Sequence, residues 1–177
     1  GGEVDHGPLA LRDHGRDDGL ADVEGAVDID LELPGEVLVG LVEHGADPNL
    51  VTFNGTTPLM AAAGVNWTVS QTFDEGPEAL LEAVKLAHSL GNDVNAQNTL
   101  GFAAVHGAAN RGSDDIIRWL AANGARLDIA DGVGRTAVDW AHGVFLATHP
   151  PVDRPETVAL IESLLADQAN TVAEANP

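Results

Sequence analysis

The feature that most constrains the fold is a repeat with a fixed period. Three segments open with Gly and share one pattern: GTTPLMAAAG from Gly55, GFAAVHGAANRG from Gly101 and GRTAVDWAHG from Gly134. Each carries a branched apolar residue four places on (Leu59, Val105, Val138) and a small residue seven places on (Ala62, Ala108, Ala141). A second set keeps the same beat: VLVGLVEHGADPN ending at Asn49, VKLAHSLGNDVN at Asn95, and IIRWLAANGARLD at Asp128. These are amphipathic stretches that end in Gly, as a helix does when its last turn closes through a left-handed residue.

Both landmarks recur at the same interval. Gly101 to Gly134 and Gly91 to Gly124 are each 33 residues, while Gly55 to Gly101 and Gly45 to Gly91 are each 46, so one unit carries 13 extra residues. A period in this range means stacked supersecondary units, because one pair of helices cannot bury its own apolar stripe and needs neighbours to do so. Ile116, Ile117 and Leu120 recur at helical spacing as such a stripe.

The motifs resemble those of the ankyrin-repeat family, whose 33-residue unit opens a helix with T-P-L-H-x-A and closes with a G-A-D-x-N turn. Thr57, Pro58, Leu59, Ala62 and Ala63 fit the opening in one copy, and Val105, His106, Ala108, Ala109 and Gly112 in the next. Gly45, Ala46, Asp47 and Asn49 give the closing turn nearly intact. The resemblance covers roughly residues 36 to 166 and implies an all-α solenoid of three to four stacked helix pairs joined by short hairpin fingers. Helices are expected near 57 to 65 and 79 to 90, 103 to 111 and 114 to 123, then 136 to 146 and 155 to 166. Pro58 fits the first turn, where its missing N–H costs nothing, with Thr57 as the cap.

Residues 1–35 match no repeat. AVDIDLEL at 26 to 33 alternates apolar and acidic residues with the period of a strand, yet an ankyrin stack has no sheet for it to join. This segment reads as a non-repeat N-terminal region that is disordered, a novel cap, or foreign to the native fold. Most of the extra 13 residues fall in an insertion at 66–78, where Trp67 and Phe73 sit beside Asp74 and Glu75. That loop is either a plug over helix ends or a secondary binding lip. A second insertion at 148–155, THPPVDRP, is expected as a stiff spacer, and 167–177 as a C-terminal tail. The chain begins GGEVDHGP rather than with Met and reads as a fragment or processed form.

Composition narrows the function classes. Eight Lys and Arg against 28 Asp and Glu give a net charge of −20, a field that repels phosphate backbones and anionic lipid. Nucleic acid and membrane are therefore excluded as expected partners, and a protein with a basic surface fits better. The same acidity also serves simple solubility. With no Cys there is no disulfide, thiolate chemistry or Cys-based zinc site. No run approaches the roughly 20 apolar residues of a membrane helix, and no leader or other address sets the compartment.

The histidines are the candidate catalysts and metal ligands. The resemblance implies that His106, at the fourth place of T-P-L-H, hydrogen-bonds backbone of its own and the adjacent repeat; Met60 and Asp139 hold the equivalent places, where that wiring must differ. His44 and His88 lie near the C-terminal ends of second helices, where a cation favours the dipole. His142 and His149 are not at the spacing of a helical metal pair. His6 and His14 stand among Asp5, Asp13, Asp17 and Asp18, which leaves either a solvated tail or a loose metal-binding one. No phosphate loop, G-x-S-x-G or E-x-x-H pattern occurs. No metal site and no cofactor are expected.

The resemblance therefore implies a non-catalytic module that binds another protein through its fingers and first-helix faces, expected as a monomer. The partner-facing positions are Phe53, Asn54 and Thr56 in one finger, Thr99, Leu100 and Phe102 in the next, and Val133 with Arg135 in the third. Asn110, Arg111 and Trp140 join them from first helices. Phe53, Phe102 and Trp140 are the expected anchors, unless Phe102 and Trp140 fold back onto the stack. The alternatives are a regulatory or structural domain of a larger enzyme or multidomain polypeptide, or chemistry placed in the N-terminal segment or the 66–78 loop.

Overall fold

The computed structural model describes residues 42–67, 76–145 and 150–175, with side chains to 170. The segment 1–35, including His6 and His14, and Phe73, Asp74, Glu75 and His149, for which expectations were given above, lie outside the described residues. Among the described residues six helices can be given bounds, in order: α1 Pro58–Ala63, α2 Pro77–Ser89, α3 Ala104–Arg111, α4 Asp114–Ala122, α5 Ala137–Ala141 and α6 Pro155–Ala175. Among the described residues there is no strand, and the architecture is the all-α ankyrin stack that the repeat implies.

Local chemistry sets the helix bounds. Thr57 caps α1, its Oγ1 accepting from Met60 N–H at 3.2 Å, and Pro58 occupies the first turn. Gly64 then stops α1 in the left-handed region at φ 107°, so the helix is shorter than the expected 57 to 65. Gly143, at φ 97°, likewise follows α5 and leaves five residues where 136 to 146 was expected. The last helix departs in the other direction. The expected end near 166 is passed without a break, because no Gly lies between Glu156 and Pro177 to play the part that Gly91 and Gly124 play after α2 and α4.

First helices α1, α3 and α5 stack in one row and second helices α2, α4 and α6 in another. Leu59, Val84, Val105, Ile116, Ile117, Leu120, Leu127 and Ile161 fill the core between the rows. Small residues set the approach of the first row. A Cβ added to Gly107 would lie 2.4 Å from Val65 N, so α3 meets the end of α1 closely enough to require Gly there. On the second row, His88 packs edge-on against Trp119 with ring centroids 5.3 Å apart.

The 148–155 insertion does more than the expected spacer role. Arg154 N–H donates to Ala141 O at 2.9 Å and its guanidinium Nε–H donates to Asn110 O at 2.9 Å. The side chain crosses Gly112, where an added Cβ would meet Arg154 Cδ at 2.8 Å. Three residues on, Thr157 Oγ1–H donates to Asp114 Oδ1 at 2.7 Å. The last unit is thus stitched to the one before it at both helix rows.

Candidate protein-binding surface

Three loops of one design line the edge of the stack: residues 52–56, 98–102 and 131–135. In each, the first residue's N–H donates to the carbonyl of the fifth (Thr52 to Thr56, Asn98 to Phe102, Asp131 to Arg135), at 3.0, 3.0 and 2.8 Å. The fourth residue is a left-handed Gly (Gly55, Gly101, Gly134) whose N–H returns to the first carbonyl. The first side chain completes the box. Asn98 Oδ1 accepts from Leu100 and Phe102 N–H, and Asp131 Oδ1 from Val133 and Arg135 N–H, all between 2.9 and 3.0 Å.

Neighbouring fingers are tied directly. Thr99 N–H donates to Asn54 O at 2.9 Å, and Gly132 N–H to Leu100 O at 2.8 Å, the same two positions in each pair. Asn98 Nδ2–H adds a bond to Thr56 Oγ1 at 3.1 Å. A Cβ on Gly101 would stand 2.4 Å from Gly132 N, so that glycine serves both its own turn and the next finger's approach. The fingers form one braced edge rather than three independent loops.

Behind the third finger lies a buried polar hub. Asp131, whose side chain is fully buried, accepts from Trp140 Nε1–H at 3.1 Å and from Arg135 Nε–H at 2.8 Å on Oδ2. Arg135 also lies over the indole, its guanidinium carbon 4.8 Å from the ring centroid. Phe102 meets the same indole edge-on at 5.1 Å. Burial raises the Asp131 pKa, but the bonds from Arg135 N–H, the Arg135 side chain, Val133 and Trp140 outweigh it and hold the carboxyl below its ordinary value.

His106 has the scaffold wiring that the resemblance implied. Its Nδ1 accepts from Ala103 N–H at 2.9 Å, capping its own helix, and its Nε2–H donates to Ile129 O of the next repeat at 3.0 Å. Burial lowers its pKa, with the Ile129 bond opposing, so the ring stays neutral with the proton on Nε2. At the equivalent place Asp139 turns inward to its own repeat, its Oδ2 accepting from Thr136 N–H at 2.7 Å and Thr136 Oγ1–H at 2.9 Å. Those two bonds hold the Asp139 carboxyl below its usual range. Met60 is simply buried.

The expected partner-facing residues separate into two groups. Phe53, at 108% of its reference exposure, Leu100 at 52% and Val133 at 75% stand out at the finger tips, with Thr99 exposed beside them. Thr56, Asn110 and Trp140 are buried, at 2%, 9% and 5%. Trp140 therefore takes the second of its two expected roles and folds onto the stack, held there by Asp131, Phe102 and Arg135. Asn110 lies under Arg154, and Thr56 under Asn98. Asn54, Phe102, Arg111 and Arg135 are half-buried. Arg111 sits 5.5 Å above the Trp67 ring and donates to Ala62 O at 3.4 Å, so Trp67 of the expected lip is anchored to the first-helix row. Leu50 at 73% and Val51 at 48% extend the apolar tips toward the closing turn; their place directly before a finger was the available signal. Phe145 and Val152 are exposed near the α5–α6 connection, away from the fingers.

Among the described residues, no cluster of three or more His, Cys, Asp or Glu could hold a metal ion, and no helix is long and apolar enough to cross a membrane. The surface offers contact chemistry built on a rigid edge.

Stacked helix pairs and hairpin fingers, each closed by a left-handed Gly, define a fold of the ankyrin class. A curated relative from Xenopus tropicalis, ankyrin repeat domain-containing protein 37, is 33% identical over 94 residues, which is 50% of this chain and 58% of the relative. Over that half the chain resembles an ankyrin-repeat protein in sequence, and its fold is the all-α ankyrin-repeat fold. It spans a little over half the length of the relative it matches. No protein-family profile matches the sequence. Ankyrin repeats as a class bind other proteins and are generally non-catalytic.

Proposed function

We infer that this chain is a protein-interaction module, without catalysis of its own, that engages its partner through the finger edge. Phe53, Leu100 and Val133 serve as contacts, with Asn54, Thr99, Phe102, Arg111 and Arg135 around them. The observation that carries the reading is the exposure of three apolar tips on fingers cross-braced by backbone bonds, since exposed apolar side chains on a pre-organised scaffold are what a binding edge needs. Trp140 supports the third finger from behind.

The acidity of the chain favours a partner with a basic surface, met by the module as a monomer, and disfavours nucleic acid. The test compares capture of the partner from the source cell by the wild-type chain, by the Leu100→Asp/Val133→Asp variant, and by Glu82→Gln on the second-helix row. Loss with the tip variant and retention with Glu82→Gln supports the reading. Equal capture by wild type and tip variant counts against it.

A further inference from the structure

The finger edge has a spacing as well as a polarity, and the two together specify the shape of what fits it. Leu100 and Val133 hold the same place, the third residue of fingers with matching internal hydrogen bonds. Their side chains therefore repeat at the step of the stack, roughly 8–10 Å for packed helices. An α-helix presents side chains seven residues apart on one face at about 10.5 Å. An extended strand repeats on one face every two residues, about 6.6–6.8 Å, which fits neither one step nor, doubled, the same step.

Charge selects the chemistry around that stripe. Asp47, Asp93 and Asp128 are exposed in the turns that lead into the three fingers. Arg135, the cation within a finger, is committed to Asp131 and the Trp140 ring. The exposed cations among the described residues are Arg118 and Arg126, and Arg126 lies 3.3 Å from Asp128. The three turns that lead into the fingers thus carry three Asp against one Arg and are net acidic.

Resting on the reading of the fingers given above, we propose that the tip ridge binds an amphipathic, basic helix of the partner protein. Its apolar side chains, set at seven-residue intervals, lie against Leu100 and Val133, with Phe53 extending the contact. Lys or Arg along its flanks faces the acidic turns. The bound face is an apolar stripe on a helix, so the contact reads as anchors at i, i+3, i+4 and i+7.

The test uses two synthetic Leu/Lys peptides of equal composition, one with leucines at helical heptad positions and one with leucines at alternate positions, titrated against the full chain by fluorescence anisotropy. The heptad peptide is expected to bind at least about tenfold tighter and to gain helical circular dichroism on mixing. Leu100→Asp/Val133→Asp should abolish that preference, while Glu82→Gln leaves it unchanged. Equal binding of both peptides, with both weakened by the tip variant, overturns the helix proposal but leaves the finger edge as the binding surface. Binding of either peptide that ignores the tip variant overturns both readings. Absence of binding by the heptad peptide up to about 1 mM, the range of very weak affinity, overturns the helix proposal.

Discussion

Trp140 Nε1–H donates to Asp131 Oδ2 across 3.1 Å, joining a first helix to the finger nine residues before it. This bond turns a large aromatic that could have been a binding anchor into a brace. The same carboxylate receives Val133 N–H, Arg135 N–H and Arg135 Nε–H, so one buried side chain fixes finger, helix and cation together. Asp131→Ala is expected to destabilise by about 2–4 kcal/mol, the range for stranding several buried donors. Asp131→Asn should cost less, because an amide oxygen serves the same two backbone N–H groups at Asn98. Chemical denaturation of both variants checks the order; an equal loss would remove the Oδ1 bonds from the account.

His106→Ala is expected to destabilise by about 1–2 kcal/mol, since it strips the cap from Ala103 N–H and the donor from Ile129 O. Partner binding should survive once the protein is folded. Binding lost at unchanged stability, measured by titration alongside denaturation, would return that histidine to a functional role.

Acid should unfold the protein in two ranges. The folded pKa of His106 lies below its ordinary 6.5 because of burial, so the unfolded chain takes up that proton first. Its contribution is complete above about pH 6.5 and falls as pH drops from there through the folded value. Asp131 and Asp139 are also depressed, from an ordinary 3.8, so their contribution is present above that value and is lost as pH falls below it. Urea midpoints between pH 8 and 3, taken on wild type and His106→Gln, check this. The upper step should shrink in the variant and the lower one should remain.

Two glycines should respond differently to alanine. At Gly107 the new methyl would strike Val65 N and Gly64 C, both backbone, so Gly107→Ala is expected to cost about 2 kcal/mol or more despite the better helix propensity. At Gly124 nothing lies within 4 Å and only the left-handed φ of 83° opposes the change, a cost of about 1–2 kcal/mol. Thermal melts of the two variants give the comparison. A milder effect at Gly107 than at Gly124 would mean that α3 and the end of α1 are not in the close contact described.

The stack was legible because its signals are local and recur. Glycines at a shared interval mark the turns, Thr57–Pro58 marks a helix start, and Ile116, Ile117 and Leu120 mark a buried stripe. What the sequence did not disclose depends on contacts between distant residues. Trp140 looked equally able to face a partner or the core until Asp131, Phe102 and Arg135 were placed around it. Arg154 sat within a proline-rich insertion whose composition says spacer, and only the open face of Gly112 shows why an arginine belongs there. The length of α6 has a different cause: no Gly follows its apolar stripe to close it near 166, as Gly91 and Gly124 follow α2 and α4. Leu50 and Val51 lie between two motifs and belong to neither, so no repeat position marks them as exposed.

Charge and apolar contact should separate in the kinetics of partner binding. Raising salt should slow association, because the acidic field acts on encounter. Phe53→Ala should speed dissociation and leave association nearly unchanged, because the tip acts after contact. Surface plasmon resonance at two salt concentrations checks both. Dissociation that follows salt and ignores Phe53 would place the binding energy in charge pairs.

Amide hydrogen exchange of the chain with and without its captured partner tests the central claim most directly. The account predicts protection concentrated in residues 52–56, 98–102 and 131–135, with α2 and α4 little changed. Protection confined to α2 and α4, with the three fingers exchanging as in the free protein, would contradict it.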